Sequence, residues 1–126
     1  MKTIINTPKA PAPIGPYNQA ILSDSKLYIS GQIPINPETG DLETSSIEQE
    51  TKQVMLNIKA ILEAAEMSFD NVIKCSIFVS DLANFSSINT IYGSYFDEAT
   101  APARETVQVA ALPKQVNVEI SAIAVK

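Results

Sequence analysis

The strongest constraint on the fold is an alternation of apolar and polar residues in four separate segments. Side chains of a β-strand point alternately to opposite faces, so this period of two predicts strands that each bury one face. The segments are residues 26–29, 72–79, 105–109 and 116–125. Their predicted apolar face consists of Leu27, Ile29, Ile73, Cys75, Ile77, Val79, Val107, Val109, Val118, Ile120, Ala122 and Ala124. A sheet of this kind needs a second layer to cover that face.

Two segments with a helical period can supply the covering layer. Between residues 47 and 65, apolar residues recur on one side of a helix and charged residues on the other. Ser45 precedes Glu48 by three residues, which predicts a capping box at the start of this helix. A second helix is predicted from about residue 84 to residue 97. Its predicted buried side chains are Phe85, Ile88, Tyr92, Tyr95 and Phe96.

The pattern predicts one α+β domain over residues 1–126, because two helices can cover one face of the sheet. Chains of this length usually form a single domain. The opposite face mixes polar with large apolar side chains. Its predicted members are Ser30, Lys74, Ser76, Thr106, Gln108, Glu119, Tyr28, Phe78, Ile123 and Val125. Such a mixture is typical of a subunit interface that contains polar sites.

The residue types that are absent narrow the possible chemistry. The chain has no histidine, so nucleophile pairs that use histidine and zinc sites of the Cys/His kind are excluded. No glycine-rich phosphate-binding motif occurs, and a net charge of -5 without a basic cluster argues against nucleic acid. We therefore expect no metal, no cofactor and no nucleic-acid partner. An enzyme made from the remaining groups would act on a substrate that is already reactive.

The expected compartment is the cytoplasm. A single cysteine, Cys75, cannot form an internal disulfide, which fits a reducing compartment. No segment approaches the run of about 18 apolar residues that indicates a membrane helix, so no membrane association is expected. The first residues lack a continuous apolar segment, so a secretory signal is not expected either.

Arg104 and Glu119 are the leading candidates for chemistry. Arg104 is the only arginine, and its short apolar neighbours leave the guanidinium free to bind a carboxylate through two hydrogen bonds. The alternative is an ordinary surface arginine at the start of a strand. Glu119 lies within a strand on the mixed face. There it is either an ion-pair partner at an interface or an acid–base group whose pKa the site adjusts.

Four further residues attract attention. Tyr17 follows Gly-Pro, where it could close a pocket or fill a groove beside the proline-rich first segment. Ser30 and Gly31 end a strand, and the glycine permits close approach of a ligand or simply forms a bulge. Asn89, on the second predicted helix, is interpreted from the pattern alone as a solvated or capping amide.

The ordered set of motifs resembles the Rid (reactive intermediate deaminase) family, formerly called YjgF, across nearly the whole chain. The matching parts are residues 14–17, 29–34, 78–82, 102–104, 112–114 and 118–124, together with Asn89 and Tyr92. The resemblance implies a chorismate mutase-like fold, a mixed six-stranded sheet with two helices on one face. It also implies a homotrimer with a central barrel and with sites in clefts between neighbouring subunits.

The activity that the resemblance implies is hydrolysis of 2-imino acids to 2-keto acids and ammonia, which removes reactive products of pyridoxal-phosphate enzymes. Arg104 is then the residue that pairs with the substrate carboxylate. Glu119 positions the hydrolytic water and transfers protons, and Tyr17 closes the site. The other residues implied to line the site are Ser30, Gly31, Asn89 and Thr106, the last through its backbone.

Three residues depart from the family pattern. Thr106 stands where well-known deaminases have cysteine. Glu105 stands where the family usually has a small residue and could pair with Arg104, although strand alternation directs it to the opposite side. Ala101 replaces a bulkier residue and could widen the cleft. Two other classes of function stay open: a non-catalytic ligand-binding or regulatory protein of the same fold, and an interaction protein.

Overall fold

The fold is known from a computed structural model that describes all residues from Met1 to Lys126. It consists of six strands and two α-helices, joined by short turns and 3-10 segments. In chain order they are β1 (Lys2–Ile5), β2 (Ala20–Ser23), β3 (Lys26–Gln32), α1 (Ile47–Ala64), β4 (Val72–Val79), α2 (Phe85–Gly93), β5 (Ala103–Gln108) and β6 (Val118–Val125). No helix has the length and apolarity needed to cross a membrane.

The strands form one mixed sheet in the order β1-β2-β3-β6-β4-β5. Neighbouring strands are antiparallel except for β4 and β5, which are parallel. Both helices pack on the same side, where their apolar residues share one core cluster with β3, β4 and β6. The predicted α+β class, the mixed six-stranded sheet and the two helices on one face are thus confirmed.

The central strand β6 shows the predicted alternation in full. Val118, Ile120, Ala122 and Ala124 are at most 4% exposed and pack against the helices, whereas the residues that alternate with them are half-buried on the other face. We call the first face the covered face and the second the open face. The alternation is strict here because β6 has a hydrogen-bonded strand on either side and a helix layer above it.

In β4, the prediction that Ile73 faces the core is wrong. The register of β4 against β6 shifts between Val72 and Lys74, and this irregularity adds one residue to the strand. Val72 is buried in its place, and Ile73 is 46% exposed. From Cys75 onward the predicted alternation holds.

In β5 the two faces are the reverse of the prediction. The parallel register places Arg104 beside Cys75 and Thr106 beside Ile77, so both lie on the covered face. Val107, predicted to be part of the core, is 41% exposed on the open face. The pattern was misleading because β5 is an edge strand, and neither of its faces is fully covered.

Both helix boundaries differ slightly from their predictions. Ser46 caps α1 by accepting a 3.1 Å hydrogen bond from the amide of Gln49. Ser45 does not cap it, because its hydroxyl donates to Glu43 instead. α2 ends at Gly93, so Tyr95 and Phe96 lie beyond it in a half-buried aromatic cluster with Phe69. Phe85, predicted to be buried, is 36% exposed.

Candidate active site

Arg104 lies on β5 and points towards α2. Its Nη1 donates a 2.6 Å hydrogen bond to Oδ1 of Asn89. Its Cζ lies 5.5 Å from the ring centroid of Phe85 and 5.1 Å from that of Tyr92. These distances are typical of a cation stacked on aromatic rings. Asn89 is therefore a partner of Arg104 and not merely the solvated amide that the pattern indicated.

The three partners of Arg104 come from one face of α2. Phe85, Asn89 and Tyr92 have the spacing i, i+4 and i+7, which places side chains above one another along a helix. Periodicity predicted both aromatic residues only as core, and the motif match added Tyr92 without a role. The signal that could have revealed them is this spacing around an amide, opposite the only arginine of the chain.

Arg104 opens into a cleft of about 620 Å³. The cleft is lined by Asn89, Tyr92, Gly93, Phe96, Glu98, Ala101, Pro102 and Arg104. Ala101, predicted to widen the cleft, is among these lining residues, and Glu98 is one that the sequence prediction missed. The guanidinium makes no ion pair within the chain, because the single ion pair joins Lys74 to Glu105.

Glu105 faces away from Arg104, as strand alternation predicted. Its Oε1 lies 3.0 Å from Nζ of Lys74, and it also accepts a hydrogen bond from Ser76. The hydrogen bonds from Ser76 and Lys74 lower the pKa of the Glu105 carboxyl, which favours its charged form. The pairing of Glu105 with Arg104 that its sequence position allowed therefore does not occur within the chain.

Glu119 lies in the middle of β6 on the open face. It is half-buried, and this desolvation raises the pKa of its carboxyl. No hydrogen bond or ion pair within the chain satisfies the carboxylate. It is therefore free to act on a ligand, and its raised pKa makes proton uptake easier than for an ordinary glutamate.

Gly31 makes room for the Glu119 carboxylate. A Cβ atom at position 31 would lie 2.7 Å from Oε2 and 2.8 Å from Cδ of Glu119. The register of β3 against β6 also shifts between Ile29 and Gln32. The bulge interpretation of this glycine is therefore confirmed, and the group that approaches it within the chain is the side chain of Glu119. Close approach of a ligand at Gly31 stays a prediction.

Tyr17 and Ser30 complete the surroundings of Glu119. The Ser30 hydroxyl donates a 2.6 Å hydrogen bond to the carbonyl of Asn18, which ties the segment carrying Tyr17 to β3. The Tyr17 hydroxyl accepts a 3.4 Å hydrogen bond from the amide of Ile14. A cleft of about 420 Å³ results, lined by Ile14, Tyr17, Ser30, Gly31, Ile33, Pro113 and Glu119.

The start of β6 is fixed by a buried carboxylate. Glu50 of α1 is 1% exposed and accepts hydrogen bonds from the backbone amide and the side-chain amide of Asn117, at 2.6 and 3.1 Å. Because Asn117 comes two residues before Glu119, these bonds tie the catalytic candidate to the helix layer. Such a satisfied buried carboxylate is costly to disrupt.

The predicted site residues thus fall into two groups within one chain. Arg104 and Asn89 line one cleft on the covered face, whereas Tyr17, Ser30, Gly31 and Glu119 line another on the open face. The two clefts share no residue. Thr106 lines neither of them; it lies two residues beyond Arg104, and its buried hydroxyl has no hydrogen-bond partner.

The chain is similar over nearly its whole length to one family of known proteins. The family model described as endoribonuclease L-PSP matches residues 7–126. A RutC family protein from Pyrococcus horikoshii is 50% identical, with 100% of this chain and 99% of the relative covered. The 2-iminobutanoate/2-iminopropanoate deaminase of Bos taurus is 48% identical, with coverages of 100% and 91%. A Rid-family protein of unknown function from Yersinia pestis has a crystal structure with a TM-score of 0.97, 49% identity and full coverage of both chains.

Proposed function

Since this chain belongs to the Rid family, whose model carries the endoribonuclease L-PSP description, we propose that it hydrolyses 2-imino acids to 2-keto acids and ammonia. The observation that carries the proposal is the unpaired guanidinium of Arg104, which opens into a cleft large enough for a small amino-acid derivative. Relatives named as imine deaminases are similar over the whole chain. The substrate class is the one that the names of these relatives carry, and a carboxylate anchor with an acid–base group is compatible with it.

Arg104 binds the carboxylate of the substrate in this mechanism. One N–H of Nη1 is used by Asn89, so the remaining N–H groups can form a bidentate pair with the two carboxylate oxygens. Fixing the carboxylate at one end orients the imine carbon for attack. Such orientation replaces a random encounter by a prearranged one, which is a large part of what a site without a nucleophile can contribute.

Glu119 handles the protons. Its carboxylate accepts a proton from the attacking water while the oxygen bonds to the imine carbon, and a tetrahedral carbinolamine forms. The protonated Glu119 then gives this proton to the amino nitrogen, and the C–N bond breaks as ammonia leaves. The carbinolamine hydroxyl loses its proton to the Glu119 carboxylate as the carbonyl forms, and the departing ammonia takes up that proton as ammonium, which restores the carboxylate. When the imine nitrogen is protonated, the imine carbon is already electrophilic. These steps therefore need no cofactor and no nucleophilic side chain.

The two groups of residues meet across a subunit interface in this proposal, within a homotrimer whose open faces form a central barrel. Two observations support it: the clefts of Arg104 and Glu119 are separate within a chain, and the open face keeps large apolar side chains exposed. Tyr17 would close the shared site. The positions that line it are Ser30, Gly31, Asn89 and the backbone around Thr106.

The proposal is tested by coupling the protein to a pyridoxal-phosphate dehydratase that releases 2-iminobutanoate. We expect the protein to accelerate formation of 2-oxobutanoate and ammonia, and we expect Arg104→Ala to remove the acceleration. Wild-type protein that leaves the uncatalysed rate unchanged would refute the proposal. It would favour the alternative, a non-catalytic ligand-binding or regulatory member of the fold.

RNA cleavage is a second candidate, because the description of the matching family model names an endoribonuclease. A net charge of -5 opposes it, since phosphate contacts supply most of the affinity for RNA. Incubation with single-stranded RNA, with Arg104→Ala as the control, separates the two candidates. Cleavage by the wild type that the variant lacks would assign the site to RNA, and no cleavage is expected.

A further inference from the structure

The guanidinium of Arg104 is restrained in two different ways. The hydrogen bond to Asn89 fixes one N–H but allows the planar group to turn about it. The ring of Tyr92, 5.1 Å from Cζ, and that of Phe85, at 5.5 Å, restrict the remaining freedom of the plane. A carboxylate that needs two parallel hydrogen bonds is sensitive to the orientation of this plane.

We propose that Tyr92 is a positioning residue for Arg104, whose ring, together with that of Phe85, holds the guanidinium in the orientation that presents its free N–H groups to a ligand carboxylate. The inference rests on the proposed function for the identity of the ligand. It adds a role for a residue whose burial otherwise indicates only a core position.

Tyr92 is well placed for this role. Its side chain is 5% exposed, and its ring is fixed by contact with Phe96 at a centroid distance of 4.9 Å. The hydroxyl lies beside the Cys75 thiol and has no conventional hydrogen-bond partner, so the ring and not the hydroxyl contributes to the site. Burial raises the pKa of the Tyr92 phenol, so the ring stays neutral and keeps an electron-rich face for the cation.

The test measures the dissociation constant for 2-oxobutanoate by titration calorimetry. Tyr92→Leu removes the ring and should weaken binding about tenfold, the size of one partly desolvated cation–π contact. Tyr92→Phe keeps the ring and should bind as the wild type does. Tyr95→Leu is the matched control, because Tyr95 packs in the same aromatic cluster against Phe69, away from Arg104.

Two results would overturn the inference: unchanged binding by Tyr92→Leu, or equal weakening by Tyr95→Leu, which would assign the effect to loss of core packing. If Tyr92→Leu does not fold, Phe85→Leu takes its place, because Phe85 is partly exposed. Phe85→Leu should then weaken the binding of 2-oxobutanoate several-fold, and unchanged binding again overturns the inference.

The same titration separates this inference from the proposed function. Wild-type protein that binds 2-oxobutanoate through Arg104 but does not hydrolyse the imine refutes the function and leaves the role of Tyr92 intact. If the wild type hydrolyses the imine and Tyr92→Leu binds 2-oxobutanoate as the wild type does, the function stands and the role of Tyr92 is refuted. A wild type that does not bind 2-oxobutanoate overturns the inference about Tyr92, whereas the coupled imine assay alone decides the proposed function.

Discussion

The two faces of the sheet differ in how completely a single chain covers them. On the covered face, Leu27, Ile77 and Ile120 are at most 1% exposed. On the open face, Tyr28 is 45% and Val107 41% exposed. The covered face is satisfied by the two helices, whereas the open face keeps apolar side chains in water, a state that association with another chain would relieve.

The two faces also divide the chemistry between them. Arg104 lies on the covered face at the edge of the sheet, and Glu119 lies near the centre of the open face. Neither reaches the cleft of the other within one chain. If both belong to one site, as we propose, that site exists only where the edge strand of one chain meets the open face of another.

The largest expected effect comes from a charge on the open face. Tyr28→Lys should shift the protein from three chains to one of 13.6 kDa and abolish imine hydrolysis, because a lysine in a desolvated interface is strongly unfavourable. Light scattering combined with the coupled assay measures both. Leu56→Lys is the matched control, since Leu56 is 41% exposed on α1 and outside the open face.

A trimeric Tyr28→Lys protein would contradict the idea that this part of the open face is an interface. A wild-type mass of 13.6 kDa at micromolar concentration would remove the shared site altogether. An effect of Leu56→Lys equal to that of Tyr28→Lys would show that the two faces do not differ in the way proposed.

The next largest effect is expected at the covered-face half of the site. Arg104→Ala should lower kcat/KM about a thousandfold, since it removes two charge-assisted hydrogen bonds worth about 1.5–3 kcal/mol each. Arg104→Lys should lower kcat/KM on the order of a hundredfold, because an ammonium cannot form the bidentate pair. Thermal unfolding should change little, as the side chain is exposed. A lysine variant with wild-type kcat/KM would refute the anchoring role.

Much of this comparison could be predicted from the sequence. β6 and the main part of β4 alternate strictly because they lie inside the sheet, with one face against the helices. Strands at or next to the edges of the sheet show a weaker alternation. β5 was assigned the wrong faces, and β1 and β2 were not predicted from alternation at all, because they are short and only partly buried.

The candidate site divides in the same way. The motifs identified Arg104, Asn89 and Glu119, and each of them lines a cleft. Periodicity could not show that Arg104 and Glu119 lie on opposite faces of the sheet. The face on which each side chain of β5 lies depends on the register of β5 with β4. The aromatic contacts of Arg104 were missed for a related reason: a stripe of aromatic residues on a helix usually indicates core.

Substitution in the open-face half of the site should lower activity less than Arg104→Ala does. Glu119→Gln should lower kcat about a hundredfold with little change in KM, because it removes proton transfer and keeps the shape of the side chain. Glu63→Gln, the same change on the exposed side of α1, is the control for activity. A Glu119→Gln enzyme with wild-type kcat would exclude Glu119 as the proton carrier.

The same variant tests the raised pKa of Glu119. The folded state holds the proton of the Glu119 carboxyl more tightly than the unfolded chain does. The wild type therefore loses stability as the pH rises from the pKa of the unfolded chain through the higher pKa of the folded state. Glu119→Gln should therefore have a slightly higher Tm than wild type near pH 7, and the difference should vanish near about pH 3. A variant that is less stable at neutral pH would contradict the desolvation of this carboxylate.

The smallest expected effect concerns which substrate the covered-face cleft prefers. Ala101 lines the cleft of Arg104 and is exposed, so Ala101→Phe should fill space that a larger imino acid would use. We expect the variant to favour the alanine-derived imine over the leucine-derived one by about tenfold more than the wild type does, at the low end of what one apolar group contributes in a pocket. The measurement is the ratio of the two kcat/KM values.

Ala99→Phe distinguishes a cleft effect from a general effect of a new aromatic side chain. Ala99 is exposed two residues earlier and does not line the cleft, so its replacement should leave the ratio unchanged. The ratio is the informative quantity, because Ala101 comes two residues before β5 and Ala101→Phe can also disturb the start of that strand and lower both rates together. An unchanged ratio for Ala101→Phe would mean that the substrate side chain lies elsewhere, on the part of the site that the open face of a neighbouring chain contributes.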